Sequence, residues 1–245
     1  MMNDYQTLNY FDAIIIHWMN PLVGHSAFLD KAANLLMWNG LPSSLLLATF
    51  WACWLRPADA ETSQHTRERL VATLWAGIAS VVIARTLALQ MPFRVRPRFD
   101  PTLHFLIPAG ANNDAFIDWS SFPSDTAVMF FTLAAGLYGV SRSIGLMAML
   151  FVAFIICLPR TYLGYHYPTD ILAGMLIGGL CAYCFNLAGV RTRLAVPVLH
   201  WERLSPQSFY PVLFLLTFQF ATYFVSLRAF ALAAYNYVGV HVGPP

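Results

Sequence analysis

Six long apolar runs, separated by polar segments, constrain this chain more than any other feature of its sequence. Each run approaches the roughly 20 residues that an α-helix needs to cross the hydrocarbon core of a bilayer. Charged residues make up only 11% of the 245 residues, whereas a soluble domain carries about 25%. The sequence therefore predicts an all-α, polytopic membrane bundle that forms a single domain over residues 1–245.

The apolar runs predict where the membrane helices lie. We expect spans at about residues 35–55, 70–91, 123–140, 144–160, 168–190 and 209–235. The first span should kink at Gly40-Leu41-Pro42, and the last contains Arg228. Before the first span, apolar residues from Phe11 to Trp18 recur at helical spacing, which fits either a helix lying in the membrane interface or an ordinary packed helix.

Arginine positions distinguish the two sides of the predicted membrane. The polar stretches 92–121 and 160–168 are separated by two crossings and therefore share one side. The opposite side receives Arg56, Arg67, Arg69, Arg142, Arg191, Arg193 and Arg203. Because basic residues mark the cytoplasmic side, we predict a multi-pass plasma-membrane protein, in a bacterium the inner membrane, whose two polar stretches face outward to the periplasm.

The segment 159–170 places Arg160, His166 and Asp170 at the mouth of a predicted span. Ionisable residues at a membrane boundary are costly and usually functional. Pro168 suits the first turn of a helix, so Asp170 should lie in that turn, close to His166. A carboxylate there can hold an imidazole in one tautomer and leave the other ring nitrogen free to act as a nucleophile. A lone histidine would more often be a packing residue, but the three residues together indicate a site.

Two further clusters are predicted on the outer face. Arg94, Arg96 and Arg98 alternate just past the second span, and guanidinium groups match phosphate oxygens well. Anchoring to lipid headgroups is the alternative interpretation. The other cluster, residues 121–126, opens the third span, and Pro123 is expected at its first helical position. Free amides and a serine hydroxyl at a helix start form a phosphate site, although a plain N-cap would explain this cluster equally well.

In this order, the three clusters resemble the signatures of the type 2 phosphatidic acid phosphatase superfamily, the integral-membrane lipid phosphate phosphatases. The family pattern is Lys-x6-Arg-Pro, then Pro-Ser-Gly-His, then Ser-Arg-x5-His-x3-Asp. This chain carries Arg96-Pro97, then Pro123-Ser124-Asp125-Thr126, then Pro159-Arg160 through His166 to Asp170. The resemblance covers about residues 20–190, with the core signatures within 85–170, and the third signature is the specific one.

The resemblance implies a role for each matching residue. His166 would be the nucleophile that forms a phosphohistidine, with Asp170 orienting it. Arg160 would act with them and, together with Arg96 and Ser124, would bind the phosphoryl oxygens. No metal or other cofactor is implied. The expected partners are a lipid phosphate substrate and the bilayer but not nucleic acid, for which the net charge of +2 is too small; the sequence leaves the oligomeric state open.

Three positions depart from the family pattern. Leu89 replaces the lysine, and Arg85, one helical turn earlier on the same face, or Arg94 could take over its contact with phosphate. Pro159 replaces a serine, which we expect to be tolerated. Thr126 replaces the histidine that protonates the leaving group, and Asp125 precedes it in place of glycine.

The threonine at position 126 bears on the substrate. A hydroxyl is no general acid near neutral pH, and general-acid help is worth about 10²–10⁴-fold in rate. A phosphate leaving from a diphosphate needs that help less than an alkoxide, provided that arginines neutralise its charge. The sequence therefore predicts a lipid diphosphatase, most naturally for undecaprenyl diphosphate at the outer leaflet. Stand-in acids for Thr126 are available on the outer side: Asp100, His104, Asp118 and Asp125.

Other functions remain open from the sequence. The chain could be a phosphotransferase, a phosphatase of monoesters such as phosphatidate or phosphatidylglycerophosphate, or a catalytically weak protein that binds a lipid phosphate. The intact set of Arg160, His166 and Asp170 argues against the last of these.

Overall fold

The computed structural model of the chain describes residues 9–108, 111 and 116–225. Within these residues the regular structure is helical, without strands, in agreement with the predicted all-α class. The helices are α1 (Tyr10–Met19), α2 (Ala27–Trp38), α3 (Leu41–Leu55), α4 (Ala60–Gln90), α5 (Asp125–Val140), α6 (Arg142–Tyr162), α7 (Pro168–Asn186), α8 (Ala188–Leu204) and α9 (Pro206–Ala221). Short 3-10 turns lie at Asn20–Leu22 and Pro97–Phe99.

Three of the described helices are long and apolar enough to cross a membrane: α4, α6 and α7. Helices α3 and α5 are apolar but shorter. The predicted run at 209–235 is helical in α9 as far as Ala221, and its residues 226–235, which include Arg228, lie outside the described part of the chain.

Two predicted boundaries differ from the structure. The first predicted span is not one kinked helix, because Asn39 and Gly40 separate α2 from α3. The N-cap of α3 is Gly40, and the Asn39 side chain before it accepts a hydrogen bond of 2.8 Å from the amide of Leu41, one of the amides that a helix start leaves free. Helix α4 begins at residue 60 instead of 70, where Asp59 caps it by accepting from the amide of Thr62. Its first turns are polar, and apolar composition gives no signal for a polar extension of a membrane helix.

Helix α5 lies at the centre of the bundle and packs against α4, α6 and α7. Glycines allow α7 to approach it closely: a Cβ on Gly178 would lie 2.5 Å from the carbonyl oxygen of Val128. A Cβ on Gly174 would lie 2.6 Å from the Cβ of Ala127. Small residues at such crossings are the usual means of bringing membrane helices together. The close packing brings the N-terminal ends of α5 and α7 side by side, where the amide of Ser124 donates 3.3 Å to the carbonyl of Asp170.

Helix α6 delivers the third signature to the same end of the bundle. It contains a π-helical stretch, Val152–Cys157, one turn before Arg160, and such stretches frequently occur at functional sites. After α6 ends, Gly164 adopts a positive φ of 74° and its carbonyl accepts 3.0 Å from the amide of Arg98. This turn places His166 between the end of α6 and the start of α7, as predicted from Pro168 at the first position of α7.

Candidate active site

A cavity of about 430 Å³ opens where α4, the end of α6 and the N-terminal end of α5 meet. Six of the side chains singled out in the sequence line it: Arg85, Arg96, Asp125, Thr126, Arg160 and His166. The remaining wall is largely apolar and includes Met37, Trp38, Val81, Phe116, Trp119, Met129, Tyr165 and Val225. Residues from α4, α5, α6 and the segments that follow α4 and α6, far apart in the chain, thus converge on one polar chamber with an apolar surround.

The His166 imidazole is almost completely buried, and its surroundings select one tautomer. Its Nδ1 lies 2.9 Å from the carbonyl oxygen of Ser121 and 3.6 Å from Oδ2 of Asp170. A carbonyl oxygen only accepts hydrogen bonds, so Nδ1 carries the proton. Nε2 is then the unprotonated nitrogen, and its lone pair accepts a long hydrogen bond of 3.4 Å from Nη1 of Arg96. This is the form in which a histidine can attack phosphorus.

Burial keeps this imidazole neutral. It lowers the pKa of His166 below its ordinary value, and the Arg96 guanidinium lowers it further, while Asp170 opposes both effects. Desolvation disfavours the charged form of a base, so near pH 7 the imidazole is unprotonated.

We expect the pH dependence of phosphate release to follow from this shift. Activity should persist below pH 6.5, the ordinary pKa of histidine, and should fall only as the pH drops through the lowered pKa of His166, where protonation removes the Nε2 lone pair. The measurement is kcat/KM for a lipid diphosphate between about pH 4.5 and 8. Half-loss of activity above the ordinary histidine value would contradict the neutral, buried nucleophile.

Arg96 is fixed rigidly against this histidine. Its guanidinium donates to the backbone carbonyls of Tyr165 at 2.7 Å, Trp119 at 3.1 Å, Phe116 at 3.2 Å and Ser120 at 3.3 Å. Burial lowers the pKa of Arg96 to about 10, which still leaves it cationic at neutral pH. No carboxylate in the part of the chain that the structure describes is hydrogen-bonded to Arg96, so its positive charge is available to a bound anion.

Two more arginines face the cavity. Arg160 is buried, donates to the carbonyl of Ile156 and lies with its guanidinium carbon 5.4 Å from the centre of the Tyr223 ring. Arg85 forms an ion pair with Asp125 and stacks over Trp119 at 4.1 Å. Leu89, at the position of the family lysine, is 86% exposed on the outer surface of α4. The structure therefore places Arg85, and not Leu89, beside the candidate phosphate site.

Arg94 lies outside the cavity wall, although the sequence grouped it with the phosphate-binding residues. Its guanidinium donates 2.5 Å to Asp170 and 2.7 Å to Asp12, and it lies over the Tyr167 ring at 4.0 Å. Because side chains alternate along an extended segment, Arg94 and Arg96 were expected to point to the same side. They bind different partners: Arg94 binds carboxylates behind His166, and Arg96 binds backbone carbonyls around the cavity.

Pro123 does not begin a helix, which corrects the sequence prediction. Helix α5 starts at Asp125, and Ser124 is its N-cap, with a hydroxyl that accepts 3.4 Å from the amide of Ala127. Serine is a preferred N-cap because its oxygen satisfies an amide that the helix leaves free. The Ser124 side chain is fully buried and does not line the cavity, whereas Asp125 and Thr126, the next two residues, do.

The four predicted stand-in acids separate clearly in space. Asp100 accepts from the hydroxyls of Thr102 and Tyr167, and neither it nor His104 nor Asp118 lines the cavity. Asp125 does line it, where its carboxylate is paired with the Arg85 guanidinium. Among the described residues, no group of three or more His, Cys, Asp or Glu side chains is placed to hold a metal ion.

Three features of the site were not found from the sequence. The carbonyl of Ser121 selects the histidine tautomer, and a backbone partner leaves no pattern in a sequence. The aromatic wall joins Trp38, Phe116 and Tyr165, with Trp38 and Phe116 stacked at 5.9 Å. Asp12 is fully buried against Arg94; the only signal for it was a single carboxylate on an otherwise apolar helix.

Comparison with known proteins places these residues in context. Undecaprenyl-diphosphatase BcrC of Bacillus subtilis (strain 168) is 29% identical over 109 residues, which cover 44% of this chain and 52% of the relative. Bacitracin transport permease protein BcrC of Bacillus licheniformis is 36% identical over 63 residues, 26% of this chain and 30% of the relative. The chain thus spans about half or less of the length of these curated relatives. No solved structure matches the chain.

A family model describes the matching region more completely. The model for the PAP2 superfamily matches residues 69–193, just over half of the 245 residues. This range contains the six side chains from Arg85 to His166 that were predicted from the sequence and line the cavity, as well as Asp170. The chain therefore belongs to the PAP2 superfamily.

Proposed function

We propose that this protein is a membrane lipid phosphatase that hydrolyses the terminal phosphoanhydride bond of a polyprenyl diphosphate, with undecaprenyl diphosphate as the leading substrate. One observation carries the proposal: the buried neutral imidazole of His166 directs Nε2 toward a chamber that contains Arg85, Arg96 and Arg160. The similarity to an undecaprenyl-diphosphatase of Bacillus subtilis supports the substrate class. Thr126 in the chamber wall supports a diphosphate over a monoester.

The proposed chamber lies at the outer face of a six-span bundle. Helices α4, α6 and α7 would cross the membrane with α3, α5 and the apolar run at 209–235, and α1 would lie in the interface. With 15 and 16 residues, α3 and α5 are about 23 Å long, shorter than the roughly 30 Å of the hydrocarbon core. Helices of this length would end close to the membrane boundary, so the chamber at the N-terminal end of α5 would be accessible to a substrate that is held in the bilayer.

In the first chemical step, Nε2 of His166 would attack the terminal phosphorus of the diphosphate. The bond from that phosphorus to the bridging oxygen breaks, and polyprenyl phosphate leaves with the electron pair. Three guanidinium groups neutralise the charge that develops on the transferring and leaving phosphates. The proton stays on Nδ1, which donates a hydrogen bond to the Ser121 carbonyl. The intermediate is therefore a cationic phosphohistidine, which the nearby Asp170 carboxylate stabilises.

In the second step, water would attack the phosphohistidine. The phosphorus–nitrogen bond breaks, the neutral imidazole is restored, and inorganic phosphate is released. The water must lose a proton as it attacks, and the Asp125 carboxylate in the chamber wall can accept it. Asp125 would thus serve as a base in this step, a role that does not require the acid missing at position 126.

The apolar wall fits the lipid part of such a substrate. Trp38, Phe116, Trp119 and Tyr165 form connected aromatic contacts with ring centres about 6 Å apart. These rings line the same cavity as the arginines. An isoprenoid chain that leaves the chamber would therefore pass over flat, rigid apolar surfaces.

Side-by-side assays test the proposal. The purified protein in detergent should release inorganic phosphate from undecaprenyl diphosphate at least about tenfold faster than from phosphatidate, because only the monoester needs the missing general acid. Release of free phosphate separates hydrolysis from transfer to a second lipid, and vanadate, which mimics the transferring phosphoryl group, should inhibit. Equal turnover of the two substrates would overturn the diphosphatase assignment, and binding without turnover would overturn the enzymatic one.

A further inference from the structure

Asp12, on the N-terminal helix α1, is a buried carboxylate that the chemistry described so far does not use. It is 0% exposed and lies outside the family-matched range 69–193. Its oxygens accept four hydrogen bonds: from Nδ2 of Asn9 at 2.7 Å, Nη2 of Arg94 at 2.7 Å, and the hydroxyl and amide of Thr169 at 2.5 and 2.9 Å. A buried carboxylate with this many donors is held in a single position.

The partners of Asp12 lead directly to the nucleophile. Arg94, which donates to Asp12 through Nη2, donates through Nη1 to Oδ1 of Asp170 at 2.5 Å. Oδ2 of Asp170 in turn accepts 2.8 Å from the amide of Tyr167 and lies 3.6 Å from Nδ1 of His166. Thr169, the residue before Asp170, donates its amide to Asp12 and accepts from Arg94 at 2.9 Å. Asp12 therefore contacts Arg94, which binds the Asp170 carboxylate, and Thr169, which precedes Asp170 in the chain.

We propose that Asp12 is a positioning residue for catalysis, which acts through Arg94 and Thr169 to hold the Asp170 carboxylate beside His166. This inference rests on the proposed role of His166 as the nucleophile. Arg94 is shared between two carboxylates: Nη2 binds Asp12 and Nη1 binds Asp170, so neither carboxylate binds both Nη atoms. Without the charge of Asp12, Arg94 would bind Asp170 alone, and a fork-like pairing would draw that carboxylate away from the imidazole.

The position of Asp12 is favourable for a second reason. It lies at the N-terminal end of α7, where it accepts from the amide of the second residue of that helix. Free amides and the helix dipole stabilise negative charge at this end. Asp170 uses the same helix start for its own bond to Tyr167. Helix α1 thus completes the start of α7 and, with it, the support of the site.

The variant Asp12→Asn tests the inference, with Asp30→Asn as its matched control. Asparagine keeps the shape of Asp12 but cannot form an ion pair with Arg94. Asp30 is also a carboxylate of the N-terminal region; it accepts 2.6 Å from the Tyr162 hydroxyl and 3.1 Å from the amide of Gly24, and contacts neither Arg94 nor Asp170. We expect Asp12→Asn to lower kcat by about 10–100-fold with little change in KM, as for residues that orient a catalytic group, and Asp30→Asn to leave both within about twofold.

Two further variants separate positioning from general destabilisation. If Asp12 acts through Asp170, the double variant Asp12→Asn, Asp170→Asn should be no slower than Asp170→Asn alone. Thr169→Val retains every charge and removes the hydroxyl that donates to Asp12 and accepts from Arg94, and it should lower kcat by about 5–100-fold, the value of two hydrogen bonds. It keeps the test available if Asp12→Asn does not fold.

Several outcomes would overturn the inference. Each of the following results would overturn it: unchanged kcat in a folded Asp12→Asn variant, a rise in KM alone, an equal loss in Asp30→Asn, independent effects of positions 12 and 170, or a fully active Thr169→Val. Wild-type protein that releases no phosphate from any lipid phosphate would contradict the proposed function instead, and the two failures are therefore distinguishable.

Discussion

Replacing His166 by asparagine is expected to abolish phosphate release while the protein still folds and binds its substrate. The asparagine amide can donate to the Ser121 carbonyl as Nδ1 of His166 does, but it offers no nucleophilic lone pair at the position of Nε2. Loss of a nucleophile in an enzyme of this type costs about 10⁴–10⁶-fold in kcat. The measurement is inorganic phosphate released from undecaprenyl diphosphate in detergent.

A covalent intermediate gives a second readout for the same variant. Wild-type protein quenched during turnover with labelled diphosphate should carry an acid-labile, base-stable phosphoryl group, and the asparagine variant should carry none. His104→Asn is the matched control: it changes another histidine, which is exposed, does not line the cavity and has a positive φ of 45° that asparagine tolerates. Retained phosphorylation in His166→Asn, or loss of activity in His104→Asn, would contradict the assignment of the nucleophile.

Replacing Thr126 by histidine is expected to increase the turnover of phosphatidate by about 10²-fold, within the range that a general acid contributes. Thr126 lines the cavity together with His166 and Arg160, so an imidazole at this position can reach a leaving oxygen. Undecaprenyl diphosphate should gain little, because its leaving phosphate departs without protonation once the arginines neutralise its charge. The result to measure is the ratio of kcat/KM for the two lipids in wild type and variant.

Thr126→Asn controls for the change in size and polarity at this position. Asparagine resembles histidine in volume and can donate a hydrogen bond, but it cannot transfer a proton, so phosphatidate turnover should stay near the wild-type value. An equal gain in both variants would attribute the effect to shape. If the wild-type protein already hydrolyses phosphatidate rapidly and Thr126→His adds nothing, another residue supplies the proton, and Asp125, the one predicted stand-in acid that lines the chamber, would have to donate it.

The part of the site that depends on local spacing could be predicted from the sequence. Pro168 begins α7 as expected, and Asp170, two residues later, therefore falls in the first turn, 3.6 Å from His166. This succeeds because the helix start and the short separation leave few conformations for the segment between them. The prediction that Pro123 begins a helix failed at the same kind of boundary. Ser124 caps α5 through its side chain, so the helix begins one residue after the serine and not at the proline.

The arginines show where spacing stops being informative. Arg94 and Arg96 have the same alternation and the same charge, yet one pairs with Asp12 and Asp170 and the other with four backbone carbonyls around the cavity. Arg85 lines the chamber, whereas Leu89, one turn later, lies on the outer surface of α4. A guanidinium group is long enough to reach several partners, and which of them it binds depends on residues that lie 20 to 82 positions away in the chain.

By itself, the sequence determined the helical class of this protein, the segment that carries its ionisable residues, and its family, because apolar composition and short-range spacing are properties of contiguous residues. Only the tertiary structure decided which nitrogen of His166 is unprotonated, which arginines face the chamber, and that Asp12 supports the start of α7. These depend on backbone carbonyls and on helices brought together by packing, and neither leaves a mark on the order of the amino acids.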